Sequence, residues 1–397
     1  MIVHGRFQDP ILMKQVKQES RRPIRIGCAV SFLEEKMYTI TLEVNQICNL
    51  RCDYCYLGEK SNQRMTEEIA HKSLQIAFLN VEKHRDRRLW VDFVGGEAFL
   101  SFPLLQNLVE YIEKEAKKRN VNVSYSATTN GTVMNKDMLE WLVKYRFQLK
   151  LSIDGNKETH DKNRKTLSGI GSYQSIMKNM HYFKEYEEKS SKYIQVAHVV
   201  TQNNYWETAK SVKHLVENLH FRIVDSSIDV SHSWTHEQLD ELAQEWEKVL
   251  CYYIKKKRIG MEFLWAPVLD LMKYEGLPKC SGFCGVGLIQ IYVKTDGKIY
   301  GCAANLKDSG CLGDVEKGFS VKKITAYREL ALKDEICSNC SISQRCQSQK
   351  CIMNNLSYSE NINEHNPDMC YFEQKKINLW EKYFLSLIHI SEPTRHS

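Results

Sequence analysis

Three cysteines stand close together near residue 50, in the sequence C-N-L-R-C-D-Y-C. They are Cys48, Cys52 and Cys55. Three thiolates on one short loop can ligate three irons of a [4Fe–4S] cluster, which leaves the fourth iron free to bind and orient a small molecule. A structural zinc site is the alternative. Zinc prefers four ligands in a closed shell, however, and His71, the nearest further ligand, falls well inside the helix predicted to follow.

Eight further cysteines crowd the C-terminal third, where glycines become frequent and helical periodicity fades. Their spacing includes C-x12-G-x4-C and C-x2-C-x5-C-x4-C, and the residues are Cys280, Cys284, Cys302, Cys337, Cys340, Cys346, Cys351 and Cys370. Eight thiolates are enough for two fully ligated [4Fe–4S] clusters. A pair of zinc ribbons is the alternative, but the x12-Gly-x4 spacing is not typical of them. The remaining cysteines, Cys28, Cys251 and Cys311, are expected to be packed or surface thiols.

Strands and helices are predicted to alternate between the two cysteine groups. A β-branched strand at residues 38–44 leads into the first group, and a helix capped by Thr66 follows it. Further strands are predicted at residues 89–94, 123–128, 148–153, 194–201 and 221–224, and helices at 102–119, 136–145, 172–188, 206–219 and 235–257. Such alternation is typical of a parallel sheet with helices outside it, here a partial (β/α)6 barrel of the α/β class. Its chemistry is expected at the C-terminal ends of the strands.

The first cysteine group resembles the radical S-adenosylmethionine (SAM) superfamily, because CxxxCxxC directly follows the first strand and Tyr54 precedes the last cysteine. In that superfamily the open iron chelates the amino and carboxylate groups of SAM. An electron from the cluster then splits SAM into methionine and a 5′-deoxyadenosyl radical, which takes a hydrogen atom from the substrate. The resemblance therefore implies SAM as a cofactor.

Gly95, Gly96 and Glu97 follow the second predicted strand of the barrel and resemble the GGEP motif of the superfamily. That motif holds the amino group of SAM, since glycine permits close backbone approach and a carboxylate suits an ammonium group. Ala98 replaces the proline, which makes the loop less rigid but removes no ligand.

Polar residues also follow the third and fourth of these strands. Asn130 lies in a Thr-Asn-Gly turn, and the run from Ser152 to Arg164 resembles the SxDG…HDxxR pattern of peptide-modifying radical SAM enzymes. The resemblance implies SAM contacts from Asn130, Ser152 and Arg164, the last as a bidentate partner of the SAM carboxylate. His160 and Asp161 are expected to serve in helix capping and loop packing.

The C-terminal cysteines resemble the SPASM domain, with one departure: four residues rather than three precede Cys351. The resemblance implies two auxiliary [4Fe–4S] clusters, and thus three clusters in all. By the connectivity of that family, the first auxiliary cluster is held by Cys280, Cys284, Cys302 and Cys351. The second is held by Cys337, Cys340, Cys346 and Cys370.

Four segments are predicted. Residues 1–36 form an N-terminal extension, 37–265 the radical SAM partial barrel and 266–384 the SPASM domain. Residues 386–395 read SLIHISEPTR, which resembles a translated sequencing-library adapter. We therefore treat residues 385–397 as an artefact and expect that the natural C-terminus was lost near Tyr383 or Phe384.

Enzymes that combine these two domains mostly act on peptides, so the resemblance implies a maturase that forms a thioether or C–C cross-link in a ribosomally made peptide. Ala303 stands where anaerobic sulfatase maturases, which make formylglycine, carry a catalytic aspartate. Alanine cannot act as a general base, which favours cross-linking, although Asp296 or Asp308 remain possible substitutes. A non-catalytic electron carrier or SAM-binding protein is the alternative of another class, but it would not need Glu97 and Arg164 around an open iron.

Composition limits the partners and the location. The formal net charge is +6 without a dense Lys/Arg block, so no nucleic-acid partner is expected. No apolar stretch is long enough to span a membrane, and residues 1–18 do not resemble a signal peptide, so a cytoplasmic location is expected. The expected partners are a precursor peptide, a flavodoxin- or ferredoxin-type electron donor and a separate leader-recognition protein.

Replacing one thiolate tests the first cluster. Cys52→Ala is expected to reduce SAM cleavage to background, because one of three iron ligands is lost, while the auxiliary clusters keep their iron. The measurement is 5′-deoxyadenosine formation by the reduced, reconstituted variant, together with its iron content. Cys251→Ala, outside both groups, is the control and is expected to change neither quantity. Full SAM cleavage by Cys52→Ala would contradict the assignment.

Overall fold

The computed structural model describes residues 37–273, 284–331, 335–343, 345–346, 348 and 351–391. The predicted N-terminal extension with Cys28, and the predicted ligand Cys280, lie outside the described residues.

Most of the strands in the described residues belong to one sheet. In chain order the strands are β1 (Tyr38–Asn45), β2 (Leu50–Cys52), β3 (Arg88–Gly95), β4 (Asn122–Thr129), β5 (Gln148–Ser152), β6 (Arg164–Thr166), β7 (Gln195–Val200), β8 (Ile223–Ile228), β9 (Leu264–Trp265), β10 (Gln290–Val293), β11 (Lys298–Tyr300), β12 (Cys311–Asp314) and β13 (Gly318–Phe319). Six of them, β1-β3-β4-β5-β7-β8, lie side by side in parallel. This confirms the predicted α/β arrangement, and β1 and β8 are not neighbours, so the sheet is open.

Helices connect the parallel strands and continue into the C-terminal part. They are α1 (Glu67–Val81), α2 (Phe102–Arg119), α3 (Lys136–Lys144), α4 (Lys157–Asn163), α5 (Tyr173–Ser190), α6 (Thr208–Lys213), α7 (His236–Arg258), α8 (Ala266–Lys273), α9 (Val321–Ala331), α10 (Glu335–Ser338), α11 (Ile352–Ser359) and α12 (Pro367–Ser391). None of the helices in the described part of the chain is long and apolar enough to cross a membrane.

Capping residues explain where several helices begin. Thr66 accepts a hydrogen bond from the Ile69 amide at the start of α1, as predicted. Thr235 and Gln238 form the predicted capping box of α7. One predicted helix was partly wrong: residues 206–219 are divided into a 3-10 turn, the short α6 and a π-helical turn at His214–Asn218.

The two faces of the parallel sheet differ in character because side chains alternate along each strand. Ile40, Leu42 and Phe93 face the helices and join the main apolar core. The opposite side, which we call the polar face, carries Thr41, Glu43, Asp92, Ser126, Lys150 and Ser152, placed together by the strand register. Several of these are buried, so the polar face is an interior surface able to do chemistry.

The cysteine-rich part joins the same sheet. β10 pairs in parallel with β1, and β11, β12 and β13 follow as antiparallel neighbours. The predicted hairpin between β10 and β11 is confirmed, since Gly297 sits in its turn with φ +84°. The strand that leads to the first cysteine group, β1, is thus hydrogen-bonded to β10, which lies between Cys284 and Cys302 of the C-terminal cysteines.

Shortening one side chain of β10 tests this attachment. Ile291 is fully buried in the main core, so Ile291→Ala is expected to lower the free energy of unfolding by about 2–5 kcal/mol. The measurement is equilibrium unfolding in urea under anaerobic conditions. Ile170→Ala, at a position that is 68% exposed, is the matched control and should have little effect. Equal stability of the two variants would mean that β10 does not pack on the core.

Candidate active site

The first cysteine loop is held by a small sheet of its own. Cys52 lies at the end of β2, and its partner in the antiparallel strand β6 is Arg164. Cys55 follows in a turn in which its amide donates to the Cys52 carbonyl oxygen at 3.2 Å. Cys48 is buried and its sulfur accepts from the Leu50 amide at 3.4 Å. Arg164 is therefore next to the loop because of backbone pairing and not only because of its charge.

The Gly-Gly-Glu loop packs directly on the start of the cysteine loop. The Gly96 amide donates to the Asn45 carbonyl at 2.9 Å, and the Glu97 amide donates to the Ile47 carbonyl at 2.8 Å. A Cβ on Gly96 would lie 2.3 Å from the Ile47 oxygen, and one on Gly95 would lie 2.5 Å from the Asn45 oxygen. Both positions therefore require glycine for this close approach.

Glu97 holds the neighbouring loop in place. Its buried carboxylate accepts hydrogen bonds from the Asn130 amide at 2.7 Å, the Thr129 hydroxyl at 2.9 Å and the Phe99 amide at 3.2 Å. Burial raises the pKa of Glu97 to about 7, against the effect of these donors. A carboxylate has roughly four acceptor sites. The Glu97 carboxylate therefore already accepts three hydrogen bonds from the protein. The predicted contact with the SAM amino group has to use the acceptor capacity that remains.

Asn130 links the third strand to the cysteine loop. Its side-chain amide donates to the Asn49 oxygen at 2.9 Å and approaches the Cys48 sulfur at 3.7 Å. Its own oxygen accepts from the Thr132 amide at 3.0 Å. The structure thus brings the predicted SAM contact Asn130 together with the predicted iron ligand Cys48.

A buried ion pair lies behind the cysteine loop. Arg164 Nε donates to Asp154 Oδ2 at 3.0 Å, and the Tyr54 hydroxyl donates to the same oxygen at 2.5 Å. The other oxygen of Asp154 accepts from the Val199 amide at 3.0 Å. Burial by itself would raise the pKa of Asp154, but the charge of Arg164, together with His160, His198 and the Tyr54 hydrogen bond, holds that pKa below its ordinary value.

Arg164 keeps donors available after this pairing. Its guanidinium also lies over the Tyr54 ring, 5.1 Å from the centroid, but makes no further side-chain hydrogen bond to a described residue. Its terminal nitrogens are therefore available for the predicted contact with the SAM carboxylate. Ser152 is half-buried at the end of β5 on the polar face, and its hydroxyl has no hydrogen-bond partner in the described residues. Both remain predicted SAM contacts.

His160 and Asp161 have the packing roles predicted for them. His160 Nδ1 accepts from the Asp154 amide at 3.2 Å, and its Nε2 contacts the Ser172 hydroxyl at 2.9 Å. Asp161 accepts from the Tyr173 amide at 2.9 Å, at the start of α5. The sequence reasoning missed the role of Asp154, although its place between a strand end and Arg164 was a signal.

Nearby cations favour the thiolate that iron needs. Burial raises the pKa of the Cys52 thiol, and the charges of Arg164 and Lys60 oppose that rise. Lys60 is fixed by a hydrogen bond to the Leu50 carbonyl at 2.7 Å. Because cysteine binds metal as the thiolate, these cations support the predicted role of the loop.

Part of the first auxiliary group is also brought together. Cys284 precedes β10, Cys302 follows β11 and Cys351 precedes α11, yet the three thiols interact. Burial and then the neighbouring thiols raise the pKa of Cys302, and burial with Cys284 raises the pKa of Cys351 to about 11. Such thiols lose their protons readily only when a metal supplies positive charge.

The second auxiliary group lies further along the chain. Cys337 and Cys340 share a turn in which the Cys340 amide donates to the Cys337 carbonyl at 3.1 Å. Cys346 is buried, and Cys370 lies on the first turns of α12.

The first cysteine group offers thiolates, which are the ligands of iron–sulfur clusters. Within the described residues, no three His, Cys, Asp or Glu side chains are grouped as the ligands of one metal ion would be. The loop of Cys48, Cys52 and Cys55, placed beside Asn130 and Arg164, has the residues for a cluster with one open iron.

The chain matches the model of the radical SAM superfamily over residues 42–215, a range that runs from within β1 to just beyond the end of α6 and includes the first cysteine loop. Residues 42–215 of the protein form a radical SAM domain. Its radical SAM domain thus includes the first cysteine loop and the three polar motifs that pack on it.

Curated relatives and a solved structure resemble the chain beyond this domain. A cysteine-type anaerobic sulfatase-maturating enzyme of Clostridium novyi is 24% identical over 76% of this chain and 84% of its own length. The radical SAM cyclopropyl synthase TigE of Paramaledivibacter caminithermalis is 20% identical over 83% and 70%. The structure of native anSMEcpe with AdoMet and the Cp18Cys peptide matches with a TM-score of 0.74, at 20% identity, over 89% of this chain and 98% of that one. This last likeness establishes the fold.

The pH dependence of stability tests the packing around Asp154. Burial lowers the pKa of both His160 and His198 from 6.5 to about 4. Between these values the unfolded chain binds protons that the folded chain does not, so stability falls as the pH falls from 6.5 to 4. Each histidine contributes a slope of about 1.4 kcal/mol per pH unit, and His160→Gln should remove one such contribution.

Urea unfolding at several pH values in this range measures the slope. His198→Gln is expected to reduce it independently and by a similar amount, because the two histidines contact different partners. Identical slopes in the wild type and both variants would mean that neither histidine is held neutral by the fold.

Proposed function

We propose that this radical SAM enzyme modifies a ribosomally made peptide and forms a thioether or C–C cross-link in it. The joining of the two cysteine groups by one sheet is the observation that carries the proposal. β1 leads into the first group, and β10, its hydrogen-bonded neighbour, lies between Cys284 and Cys302. A substrate near the polar face can therefore meet both groups of cysteines.

The cofactors are inferred from the donor sets. A [4Fe–4S] cluster on Cys48, Cys52 and Cys55 would bind SAM at its open iron and, when reduced, supply a 5′-deoxyadenosyl radical. The proposed SAM contacts are Gly95, Gly96, Glu97, Asn130, Ser152 and Arg164. Among these, Arg164 offers its free guanidinium nitrogens to the SAM carboxylate, while Glu97 mainly holds Asn130 in place.

Two auxiliary clusters are proposed for the C-terminal cysteines, as in a SPASM domain. The electrostatic contact among Cys284, Cys302 and Cys351 supports the first of them. The second would use Cys337, Cys340, Cys346 and Cys370. Such clusters would accept an electron from the substrate, and a flavodoxin- or ferredoxin-type donor would supply the electron for SAM cleavage. A separate leader-recognition protein remains part of this proposal.

Formylglycine formation is the second candidate, because a sulfatase-maturating enzyme is among the relatives. The surroundings of Ala303 argue against it. Ala303 packs against Val94, Tyr292 and Tyr300 and offers no proton acceptor. The aspartates named above as substitutes, Asp296 in the β10–β11 turn and Asp308 at the start of a 3-10 turn, are both exposed on the surface.

The mass of a co-expressed peptide decides between the candidates. A short cysteine-containing peptide, preferably one encoded beside this gene, is produced anaerobically with the wild-type enzyme. Loss of two hydrogens per site, with cysteine thiols that no longer react with an alkylating agent, is the result expected for a thioether maturase. Cys52→Ala is the control and should leave the peptide unmodified. Conversion of Cys or Ser to an aldehyde that traps hydrazine would instead establish the formylglycine reaction.

A further inference from the structure

Glu43 is a fully buried carboxylate on the polar face, at the end of β1. It accepts hydrogen bonds from the Tyr292 hydroxyl at 2.8 Å, the Gln46 amide at 2.9 Å and the Thr295 hydroxyl at 3.4 Å. The Thr295 backbone amide also donates, at 3.5 Å. All four donors are neutral, and Glu43 forms no ion pair with any residue that the structure describes. A buried carboxylate without a cation is costly, which points to a use other than stability.

Tyr292 connects this carboxylate to the cluster on which Ala303 packs. Tyr292 lies on β10 and packs with Val94 and Tyr300, and Ala303 contacts the same cluster. The Tyr292 hydroxyl donates to Glu43, so the carboxylate is hydrogen-bonded to a member of that cluster. The resemblance described above implies a catalytic aspartate of the sulfatase maturases at the position of Ala303.

The Tyr56 side chain lies between solvent and the buried pair of Glu43 and Tyr292. Tyr56, which follows the first cysteine group, lies near Tyr292, and 43% of its surface is exposed. Other acids on the polar face are placed differently. Asp225 is paired with Lys150 at 3.5 Å, and Asp92 binds the hydroxyls of Ser126 and Thr41.

We propose that Glu43, acting through the Tyr292 hydroxyl, accepts the proton released when the peptide is oxidised. This inference rests on the proposed function. In thioether formation the peptide loses a hydrogen atom from carbon to the SAM-derived radical, and its thiol loses a proton as the C–S bond forms. The remaining electron would be accepted by an auxiliary iron–sulfur cluster held by the C-terminal cysteines, so that the peptide loses two hydrogens in total. Tyr292 takes up the proton and passes its own to Glu43.

Separating hydrogen abstraction from product formation tests this role. Glu43→Gln and, independently, Tyr292→Phe keep the size of each side chain. Both are expected to form 5′-deoxyadenosine and to take deuterium from a labelled peptide at the wild-type rate. Cross-linked peptide should fall by about 100-fold, the usual effect of losing a general base. A purely structural role would instead reduce both quantities together.

Two further variants complete the test. Asp92→Asn changes another buried carboxylate of the polar face and should keep the wild-type ratio of product to 5′-deoxyadenosine. Ala303→Asp, added to Glu43→Gln, should restore product because it returns an acceptor to the same cluster. Two results would overturn the inference while leaving the proposed function intact. One is unchanged product in Glu43→Gln, and the other is an equal fall of product and deuterium transfer in both single variants. If the wild type modifies no peptide, the proposed function fails, and the inference fails with it.

Discussion

The buried pair of Asp154 and Arg164 is the interaction on which the site depends. Arg164 is the β-strand partner of Cys52, and Tyr54, within the cysteine loop, shares the same carboxylate oxygen. A loop of this kind has little apolar core of its own, so it needs polar anchors of fixed geometry. Removal of one partner would leave a buried charge unpaired, which costs far more than the loss of a surface pair. This pair therefore holds together the end of β5, the cysteine loop and Arg164, the predicted contact of the SAM carboxylate.

Close backbone packing completes this unit from the other side. Gly95 and Gly96 let the Gly-Gly-Glu loop lie against Asn45 and Ile47, and Glu97 then reaches Asn130. These contacts are made between chain segments that directly follow neighbouring parallel strands. The sheet brings such segments to one edge, and the small or buried residues allow them to touch. The chemistry expected of the radical SAM domain is therefore positioned by backbone hydrogen bonds more than by flexible side chains.

The pairing of β10 with β1 gives the C-terminal cysteines their place. Because this pairing is part of the main sheet, the hairpin that carries Tyr292 presents its hydroxyl to Glu43 on the polar face. One carboxylate, Glu97, holds the loop of Asn130 by accepting its backbone amide, whereas the other, Glu43, accepts the Tyr292 hydroxyl from β10. The two acids lie on adjacent segments, yet their surroundings suit different tasks.

The sequence by itself identified the two cysteine groups, the alternation of strands and helices and the caps at Thr66 and Thr235. Each of these is a local pattern of a few residues. The sequence did not reveal that residues 206–219 form three different helical turns. Only the tertiary structure decided that Glu97 binds Asn130, that Asp154 pairs with Arg164 beside Tyr54, and that Glu43 meets Tyr292. A glutamate within the alternating strand β1 was a weak signal of the last contact. Its partner Tyr292 lies 249 residues away in the sequence. The register between β1 and β10 brings the two side chains within hydrogen-bonding distance, and no local sequence pattern records that register.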